Sequence, residues 1–199
     1  MARKENYIKA KNKGIAIVGD GLCERLYFEQ MKTYEKLTTQ IKPELPDKGS
    51  WKTLFNKVEK LLETEYDLIH CIIDYDTVIN ENAFEEYNKQ KIGFEETGKV
   101  KIYECNPCFE TWYLLHYELT TRPFENCDAV SSVLKKHISG YDKTEKYYTK
   151  KKIYSFLKEN QPKAIANAER LEKDRKDFSK NHPRAEMHKL IRELLSEKI

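Results

Sequence analysis

Apolar segments alternate with amphipathic segments through residues 14 to 118, and this alternation constrains the fold more than any other feature of the sequence. The apolar segments include "GIAIV", "LIHCII" and "KVKIYEC", which are short and rich in β-branched or aromatic residues, as is typical of buried strands. Between them lie segments with apolar residues at helical spacing, such as "WKTLFNKVEKLL". This order predicts an α/β fold with a mainly parallel sheet flanked by helices.

Local signals predict where these elements begin and how the domains divide. Ser50 and the Asn106–Pro107 pair are good helix starts, and Pro43 predicts that the short strand "QIKPEL" lies at a sheet edge. Four segments after residue 126 have helical patterns: 127–138, 149–160, 162–178 and 184–199. The sequence therefore predicts an α/β domain at residues 1–120 and a C-terminal helical extension at 121–199 packed on it, or one compact domain that includes both.

Cysteine usage and the lack of long apolar runs bear on the environment of the protein. The first residues, "MARKENYIKAKNKG", contain no apolar stretch like that of a signal peptide, and no run reaches the about 18 apolar residues that a membrane span needs. Cys105 and Cys108 form one CxxC among five cysteines, but no second pair or nearby histidine completes a zinc site. We therefore expect a reduced, cytoplasmic protein with no membrane partner.

Acidic residues stand where two of the apolar strands end. Asp20 lies in the "GDG" after the first strand, and Asp74 and Asp76 lie in the "DYD" after "LIHCII". These carboxylates are expected to converge, because ligands gather at the carboxyl ends of parallel strands and side chains two residues apart in a strand share a face. Three carboxylates without histidine or cysteine favour Mg²⁺, with Mn²⁺ as a substitute. The alternative interpretation is an ordinary Asp-Gly turn beside two solvated aspartates.

Several sequence motifs resemble those of known families. "IVGDGLCERLYFE" followed by "IIDYD" resembles the layout of TOPRIM domains, in which an acidic residue closes the first strand and Asp-x-Asp closes a later one. More closely, the chain is similar to the RloB-like family of bacterial proteins. "NPCFETWYLLH" at 106–116 matches that family's motif almost letter for letter, and "GYDK" at 140–143 and "NHPRAEMHKLIREL" at 181–194 resemble its closing segments.

The resemblance implies a TOPRIM-like fold and a Mg²⁺-dependent nuclease that cleaves phosphodiester bonds in DNA or RNA. It also implies a role in bacterial antiviral defence of the abortive-infection kind, often beside an ATPase partner protein. The metal ligands that it implies are Asp20, Asp74 and Asp76. The catalytic residues that it implies are Asp20, Glu24, Asp74, Glu110 and Lys143.

Two positions depart from the family's pattern. Asp20 stands where the pattern has glutamate, so its carboxylate is one methylene shorter. Tyr75 stands where the family has arginine between two aspartates, and alternation along a strand directs it to the opposite face from Asp74. These departures keep a second hypothesis open, in which the chain is a catalytically degenerate nucleic-acid-binding or regulatory subunit of an ATPase-partnered system.

Other residues near the motifs have structural interpretations as well. Glu24 could stabilise the first turn of its helix through the helix dipole rather than serve catalysis. Phe109 and Trp112 are expected in the core, and His116 is expected to be structural.

Lysines and tyrosines dominate "KKHISGYDKTEKYYTKKK" at 135–152, which holds seven lysines and three tyrosines but two acidic residues. That composition suits a phosphate backbone and stacked bases, although a run of lysines is also typical of a solvated helix face. Lys143, Lys146, Lys150 and Lys151 are the predicted nucleic-acid contacts. The turn "GDGLCER" lacks the lysine of a P-loop and the third glycine of a dinucleotide-binding fingerprint, which argues against both. A homo-oligomer is left open.

Overall fold

A computed structural model describes residues 14–37, 40–44, 50–174 and 182–196. Its strands are β1 (Gly14–Val18), β2 (Gln40–Glu44), β3 (Leu68–Asp74), β4 (Val100–Asn106) and β5 (Arg184–Ala185). The helices of the first part are α1 (Leu22–Glu35), α2 (Trp51–Leu62), α3 (Asp76–Asn80), α4 (Phe84–Glu96) and α5 (Glu110–Leu115). The later helices are α6 (Cys127–His137), α7 (Glu145–Lys151), α8 (Ile153–Lys158), α9 (Gln161–Lys173) and α10 (Met187–Ser196).

The five strands form one sheet in the order β2-β1-β3-β4-β5. The pairs β1–β2, β1–β3 and β3–β4 are parallel, and only the short β5 pairs antiparallel, with β4. This arrangement confirms the α/β fold with a mainly parallel sheet, and β2 lies at an edge as Pro43 predicts. The strand order reverses between β1 and β3, and such a reversal opens a crevice at the carboxyl ends of the two strands.

Two hydrophobic clusters cover the two faces of the sheet, because side chains along each buried strand alternate between faces. In β3, Ile69 and Ile73 face the cluster formed with α2 and α4, whereas Ile72 faces the cluster formed with α1, α5 and the C-terminal helices. Phe109 and Trp112 are fully buried in the latter cluster, which confirms the expectation for both. Every strand that borders the crevice therefore has apolar packing on both sides.

The C-terminal third contains helices, as expected, and also a strand. Residues 184–185 form β5 rather than helix, with Arg184 opposite Asn106 and Ala185 opposite Cys105. Residues 175–178 and 197–199, which belong to predicted helical segments, lie outside the described residues, as do residues 1–13. Within the parts of the chain that the structure describes, none of the helices combines the length and apolarity needed to cross a membrane.

The start of α5 differs from the sequence-based expectation. Asn106 does not cap the helix: it is the last residue of β4, and its Nδ2 donates a hydrogen bond of 2.7 Å to the His182 carbonyl. Pro107 follows through a cis peptide bond, and α5 begins only at Glu110. Pairing with β5 holds Asn106 in the sheet. The Asn-Pro pair is a local signal for a helix start, and it carries no information about a partner strand far away in the sequence.

A disulfide joins Cys108 to Cys127, with Cα atoms 5.6 Å apart. The expectation of a fully reduced protein is therefore wrong for this pair, while Cys23, Cys71 and Cys105 are free thiols. The bond links the residues before α5 to the first residue of α6. The sequence pattern pointed only to the CxxC of Cys105 and Cys108, whereas Cys108 is bonded to Cys127, 19 residues further along the chain.

Candidate active site

Asp20, Asp74 and Asp76 lie around the crevice where the strand order reverses. Asp20 follows β1 by two residues, and Asp74 is the last residue of β3. The strand stops there, so Asp76 is the first residue of α3 rather than a continuation of the strand. The expected reason for convergence, two strand residues on one face, is therefore wrong for Asp76. Asp76 nonetheless lies close enough to Asp74 to affect it electrostatically: the pKa of Asp74 is raised first by burial and also by the charges of Asp76 and Asp20.

Glu24 extends back from the first turn of α1 over the Gly-Asp-Gly segment. A Cβ placed on Gly19 would meet the Glu24 Cβ at 2.9 Å, and one on Gly21 would meet Glu24 Oε2 at 2.8 Å. Neither glycine has a positive φ. The two glycines thus provide space for the Glu24 side chain, which is 3% exposed.

Burial and, after it, the mutual repulsion of carboxylates raise the pKa values of acids in the crevice. Burial, followed by the charge of Glu110, raises the pKa of Glu24 to about 7. Burial also raises the pKa of Asp74 well above its usual value, and the charges of Glu24 and Glu110 add to the rise. Glu24 Oε2 is buried and has no hydrogen-bond partner among the described residues. A buried carboxylate oxygen without a donor, surrounded by other carboxylates, is an unfavourable arrangement that a cation relieves.

Asp74 also has a structural role. Its Oδ1 accepts a hydrogen bond of 2.8 Å from the Phe109 backbone amide just before α5. The pKa of Asp76 is raised by burial, while the Thr77 backbone amide lowers it and the charge of Asp20 raises it. Asp74 therefore couples the end of β3 to the start of α5, and this contact brings Glu110 toward the crevice.

Glu110 is buried at the start of α5, with 2% of the residue exposed. Lys143 Nζ forms an ion pair with Glu110 Oε1 at 2.9 Å. Burial alone would lower the pKa of Lys143, but the Glu110 carboxylate outweighs that effect and raises it. The lysine stays charged and its side chain is 40% exposed, so it borders both the carboxylates and the solvent.

Sulfur atoms line the far side of Glu110. The Cys127 sulfur lies 2.9 Å from Glu110 Oε2 and accepts a contact of 3.1 Å from Lys143 Nζ. As part of the disulfide, this sulfur has no hydrogen to donate. The Cys23 thiol donates to Glu110 Oε1 at 3.8 Å, and its pKa is raised by burial and then by the charge of Glu24. Reasoning from sequence missed this environment, since no spacing rule connects residue 127 with the motif at 106–116.

The donor atoms of the crevice suit a hard cation better than a soft one. Among the residues described, only the group of Cys108, Glu110 and Cys127 has ligand atoms all within 4.8 Å of one another. Its two sulfurs are bonded to each other, so they offer no thiolate, and Lys143 already holds the carboxylate. Asp20, Asp74 and Asp76 do not form such a group. They and Glu24 offer carboxylate oxygens, the donor type that Mg²⁺ prefers, and that ion usually keeps several water ligands and takes one or two carboxylates directly.

The other predicted lysines lie along α7, away from the carboxylates. Lys146 and Lys150 are exposed, and Lys151 Nζ lies 3.8 Å from the centre of the Phe156 ring. Only Lys143 of the four reaches the crevice. His116 is buried, and its Nδ1 lies 2.9 Å from the Trp112 carbonyl, so it belongs to the core of α5.

Comparison with known proteins gives one match. A family model described as RloB-like protein matches residues 15–194, which is most of the chain. Neither the curated proteins nor the solved structures contain a match.

Proposed function

The chain belongs to the RloB-like family, and on that premise we propose that it is a TOPRIM-type, Mg²⁺-dependent nuclease that cleaves phosphodiester bonds in DNA or RNA. The observation that carries the proposal is the convergence of five acidic side chains on one crevice of a parallel sheet: Asp20, Glu24, Asp74, Asp76 and Glu110. Burial and neighbouring charges raise the pKa values of three of them, Glu24, Asp74 and Asp76, and perturbed acids in a crevice are a mark of functional sites. Lys143 pairs with Glu110, and a bound cation would offset the charge of the other four acids.

Asp20, Asp74 and Asp76 would hold the metal, with Glu24 beside them. When bound, Mg²⁺ supplies positive charge that stabilises a phosphodiester under attack. Asp74 Oδ1 is held by its hydrogen bond from the Phe109 amide, which would leave Oδ2 for the metal. Tyr75 packs against Tyr87 on the other face of the sheet and leaves the crevice to the acids.

Glu24 and Lys143 would move and neutralise charge during the reaction. Glu24 lies beside the three aspartates and would act as the general base for the attacking water. Lys143 carries a positive charge at the solvent border of the site, where it can contact the phosphate. Glu110 would orient that lysine through their ion pair.

The proposal is tested by cleavage of labelled DNA, tRNA and ribosomal RNA with Mg²⁺ or Mn²⁺. Asp74→Asn keeps an acceptor for the Phe109 amide but removes the charge, so it should fold and should lose more than about 100-fold of the activity, since even residues behind metal ligands cost about 10–100-fold. Glu85→Gln, on exposed α4 surface, is the matched control and should cleave normally.

Thermal unfolding gives a readout that does not depend on a substrate. Mg²⁺ that binds only the folded state should raise the melting temperature of the wild type and of Glu85→Gln, but not that of Asp74→Asn. Equal shifts for all three proteins, together with no cleavage in any of them, would contradict the metal-dependent nuclease.

Asp20 favours a second candidate function, a non-catalytic subunit that binds nucleic acid or regulates an ATPase partner in a defence system. The aspartate is shorter than the glutamate of the family's pattern, and Lys143 already neutralises Glu110. Asp20→Glu separates the two hypotheses. Activity that appears only in this variant would indicate a degenerate site, whereas an active wild type would rule the degenerate site out.

A further inference from the structure

A surface cavity of about 410 Å³ lies between α1, α7 and α8, on the helical side of the sheet. Tyr34 provides an aromatic wall, and the hydroxyl-bearing residues Thr33, Thr149 and Ser155 line the cavity together with Lys152. Its volume is in the range of ligand sites, about 300–1,000 Å³. One aromatic wall, several hydroxyl groups and one cation are a combination that suits a nucleotide.

Exposed rings concentrate around this cavity. Among the described residues, the large apolar side chains that are exposed are Tyr34 at 53%, Phe156 at 38% and Ile92 at 56%. Tyr34 is in the wall of the cavity, and Phe156 follows the lining residue Ser155. Ile92 lies on α4, which packs on the opposite face of the sheet. Tyr34 thus presents an exposed ring in the cavity wall, where it can stack on an unpaired base, and Phe156 is next in sequence to a lining residue.

Two further lysines directly precede the lining residue Lys152 in the chain. Lys150, Lys151 and Lys152 are consecutive, and Lys151 Nζ lies over the Phe156 ring. Glu29 is the acid among the lining residues, and Arg25 forms an ion pair with it at 3.4 Å. The surface therefore offers cations to a phosphate backbone next to rings that can accept bases.

Lys152 occupies an unusual backbone conformation. It joins α7 to α8 with a φ of 51°, in the left-handed region that glycine adopts without strain. A left-handed residue often ends a helix, as Lys36 does after α1, but a lysine is costlier there than a glycine. The location of Lys152 in the cavity wall is what favours a function for its side chain.

Two helices connect the cavity with the carboxylates. Arg25 of α1 pairs with Glu145 of α7, and further along Gln30 Nε2 donates to the Tyr148 carbonyl at 3.2 Å. The helices therefore run in the same direction, from the end that carries Glu24 and Lys143 toward the cavity. Ten residues of α1 separate Glu24 from Tyr34, which corresponds to about 15 Å.

We propose that the cavity at Tyr34 and Lys152 binds an unpaired nucleotide of a single-stranded nucleic acid whose backbone continues along α1 and α7 to the carboxylates. The inference deepens the proposed nuclease function. Cleavage of the bound nucleic acid rests on that function, but binding in the cavity is a separate property. Duplex bases are stacked on each other and cannot enter such a cavity. The site therefore selects single strands over duplexes.

The test is fluorescence anisotropy with labelled 12-residue oligouridylate, the matching oligothymidylate and a duplex of the same length, in EDTA so that no cleavage occurs. The wild type should bind both single strands more tightly than the duplex. Tyr34→Leu should weaken single-strand binding about tenfold, consistent with the loss of one stacked base. Tyr34→Phe keeps the ring and should bind as the wild type does. Ile92→Ala, on the opposite face, should change nothing.

Lysine 152 is tested by Lys152→Gly, which removes the charge and relieves the left-handed backbone. This variant should melt at the same or a higher temperature than the wild type, yet bind more weakly and lose about one unit of the slope of log affinity against log salt. Asn82→Gly is its matched control, because Asn82 also has a positive φ of 50° but lies near α4. It should leave binding unchanged.

The outcomes separate this inference from the nuclease. Single-strand binding that depends on Tyr34, in a protein that never cleaves, would support the cavity and overturn the nuclease. Cleavage with an unchanged KM in Tyr34→Leu, or a preference for the duplex, would overturn the cavity and leave the nuclease standing. A preference of the cavity for oligouridylate over oligothymidylate, or the reverse, would identify RNA or DNA as the ligand.

Discussion

Single side chains explain features of the motif that the sequence pattern leaves ambiguous. The glycines of "GDG" have no positive φ, so their role is not conformational. They make room for Glu24, whose Cβ and Oε2 occupy the places where side chains at Gly19 and Gly21 would begin. The two glycines differ in what they contact, and this difference allows stability and function to be separated.

Gly19→Ala and Gly21→Ala should therefore behave differently. The new methyl at position 19 meets the Cβ of Glu24, which cannot move without the backbone, so we expect a loss of about 1–3 kcal/mol in the free energy of unfolding. The methyl at position 21 meets the far end of the same side chain, so stability should change little while the carboxylate shifts and Mg²⁺ binding weakens. Urea unfolding and Mg²⁺-dependent thermal shifts measure the two effects, and equal destabilisation by both substitutions would contradict this account.

His116 makes stability depend on pH. Burial lowers its pKa to about 4, although hydrogen bonding to the Trp112 and Tyr113 backbone opposes the effect. The unfolded chain, with a pKa near 6.5, then binds the proton first. Stability is complete above about pH 6.5 and falls as the pH drops toward 4, by at most about 3 kcal/mol.

His116→Asn should flatten this part of the pH profile. Asparagine can still donate to the Trp112 carbonyl but does not titrate, so the difference in unfolding free energy between pH 7 and pH 4.5 should shrink. Urea titrations at both pH values give that difference even if the variant is less stable throughout. An unchanged difference would show that other groups cause the acid sensitivity.

At the scale of elements, β5 is held in the sheet by a buried ion cluster on its neighbour. Glu104 of β4 is 7% exposed; its Oε1 accepts from Lys91 Nζ at 2.8 Å and from the Tyr87 hydroxyl at 2.9 Å. Its other oxygen forms an ion pair with Arg184 of β5. The Arg184 guanidinium also lies 3.9 Å from the centre of the Tyr75 ring.

Glu104→Gln should be strongly destabilising, because it leaves the buried Arg184 guanidinium without its counter-charge. We expect a loss of about 3 kcal/mol in the free energy of unfolding. Lys101→Gln is the control. Lys101 lies on the same strand as Glu104, its side chain is half exposed, and it pairs with Glu193 of α10, so breaking this pair should cost less than about 1 kcal/mol. Similar costs for the two variants would mean that the buried cluster does not fix β5.

The elements also show what could be predicted from sequence. Strands β1, β3 and β4 were predictable because apolar residues fill them on both faces, and their ends identified the acids of the crevice. A two-residue strand has no periodicity, so β5 was not predictable, and neither was the capture of Asn106 by its partner strand. The pairing of Cys108 with Cys127 depends on tertiary packing, which local patterns do not encode. The contact of Glu24 with the two glycines is local, but it depends on the geometry of the turn between β1 and α1, which apolar periodicity does not reveal.

At the scale of the molecule, the C-terminal third is tied to the sheet in three ways. It contributes β5 to the sheet and several helices to the same hydrophobic cluster as α1 and α5. The Cys108–Cys127 disulfide adds a covalent link between the start of α5 and α6. Around Glu110, residues of α1 meet residues of the segment 127–143: Cys23 contacts it from one side, and Cys127 and Lys143 contact it from the other.

Reduction of the disulfide should lower the stability of the whole protein. A bond that closes a segment of this size stabilises by about 3 kcal/mol, largely by restricting the unfolded chain. The wild type should thus melt at a lower temperature after reduction, once alkylation and mass spectrometry show that both thiols are free. The Cys108→Ala/Cys127→Ala double variant should melt at one temperature with or without reductant. A fully reduced wild type with an unchanged melting temperature would contradict the prediction.

The single helix α1 extends from the acids to the cavity at Tyr34, and a straight helix is a rigid spacer. If a nucleic acid is bound at the Tyr34 cavity and cleaved at the carboxylates, the length of α1 sets how many nucleotides lie between the bound base and the cleaved bond. In the products of such an enzyme, the number of nucleotides from the bound base to the newly formed end would be the same whatever the sequence. Changing the length of the helix by a whole turn, about 5.4 Å, would move the break without altering the chemistry.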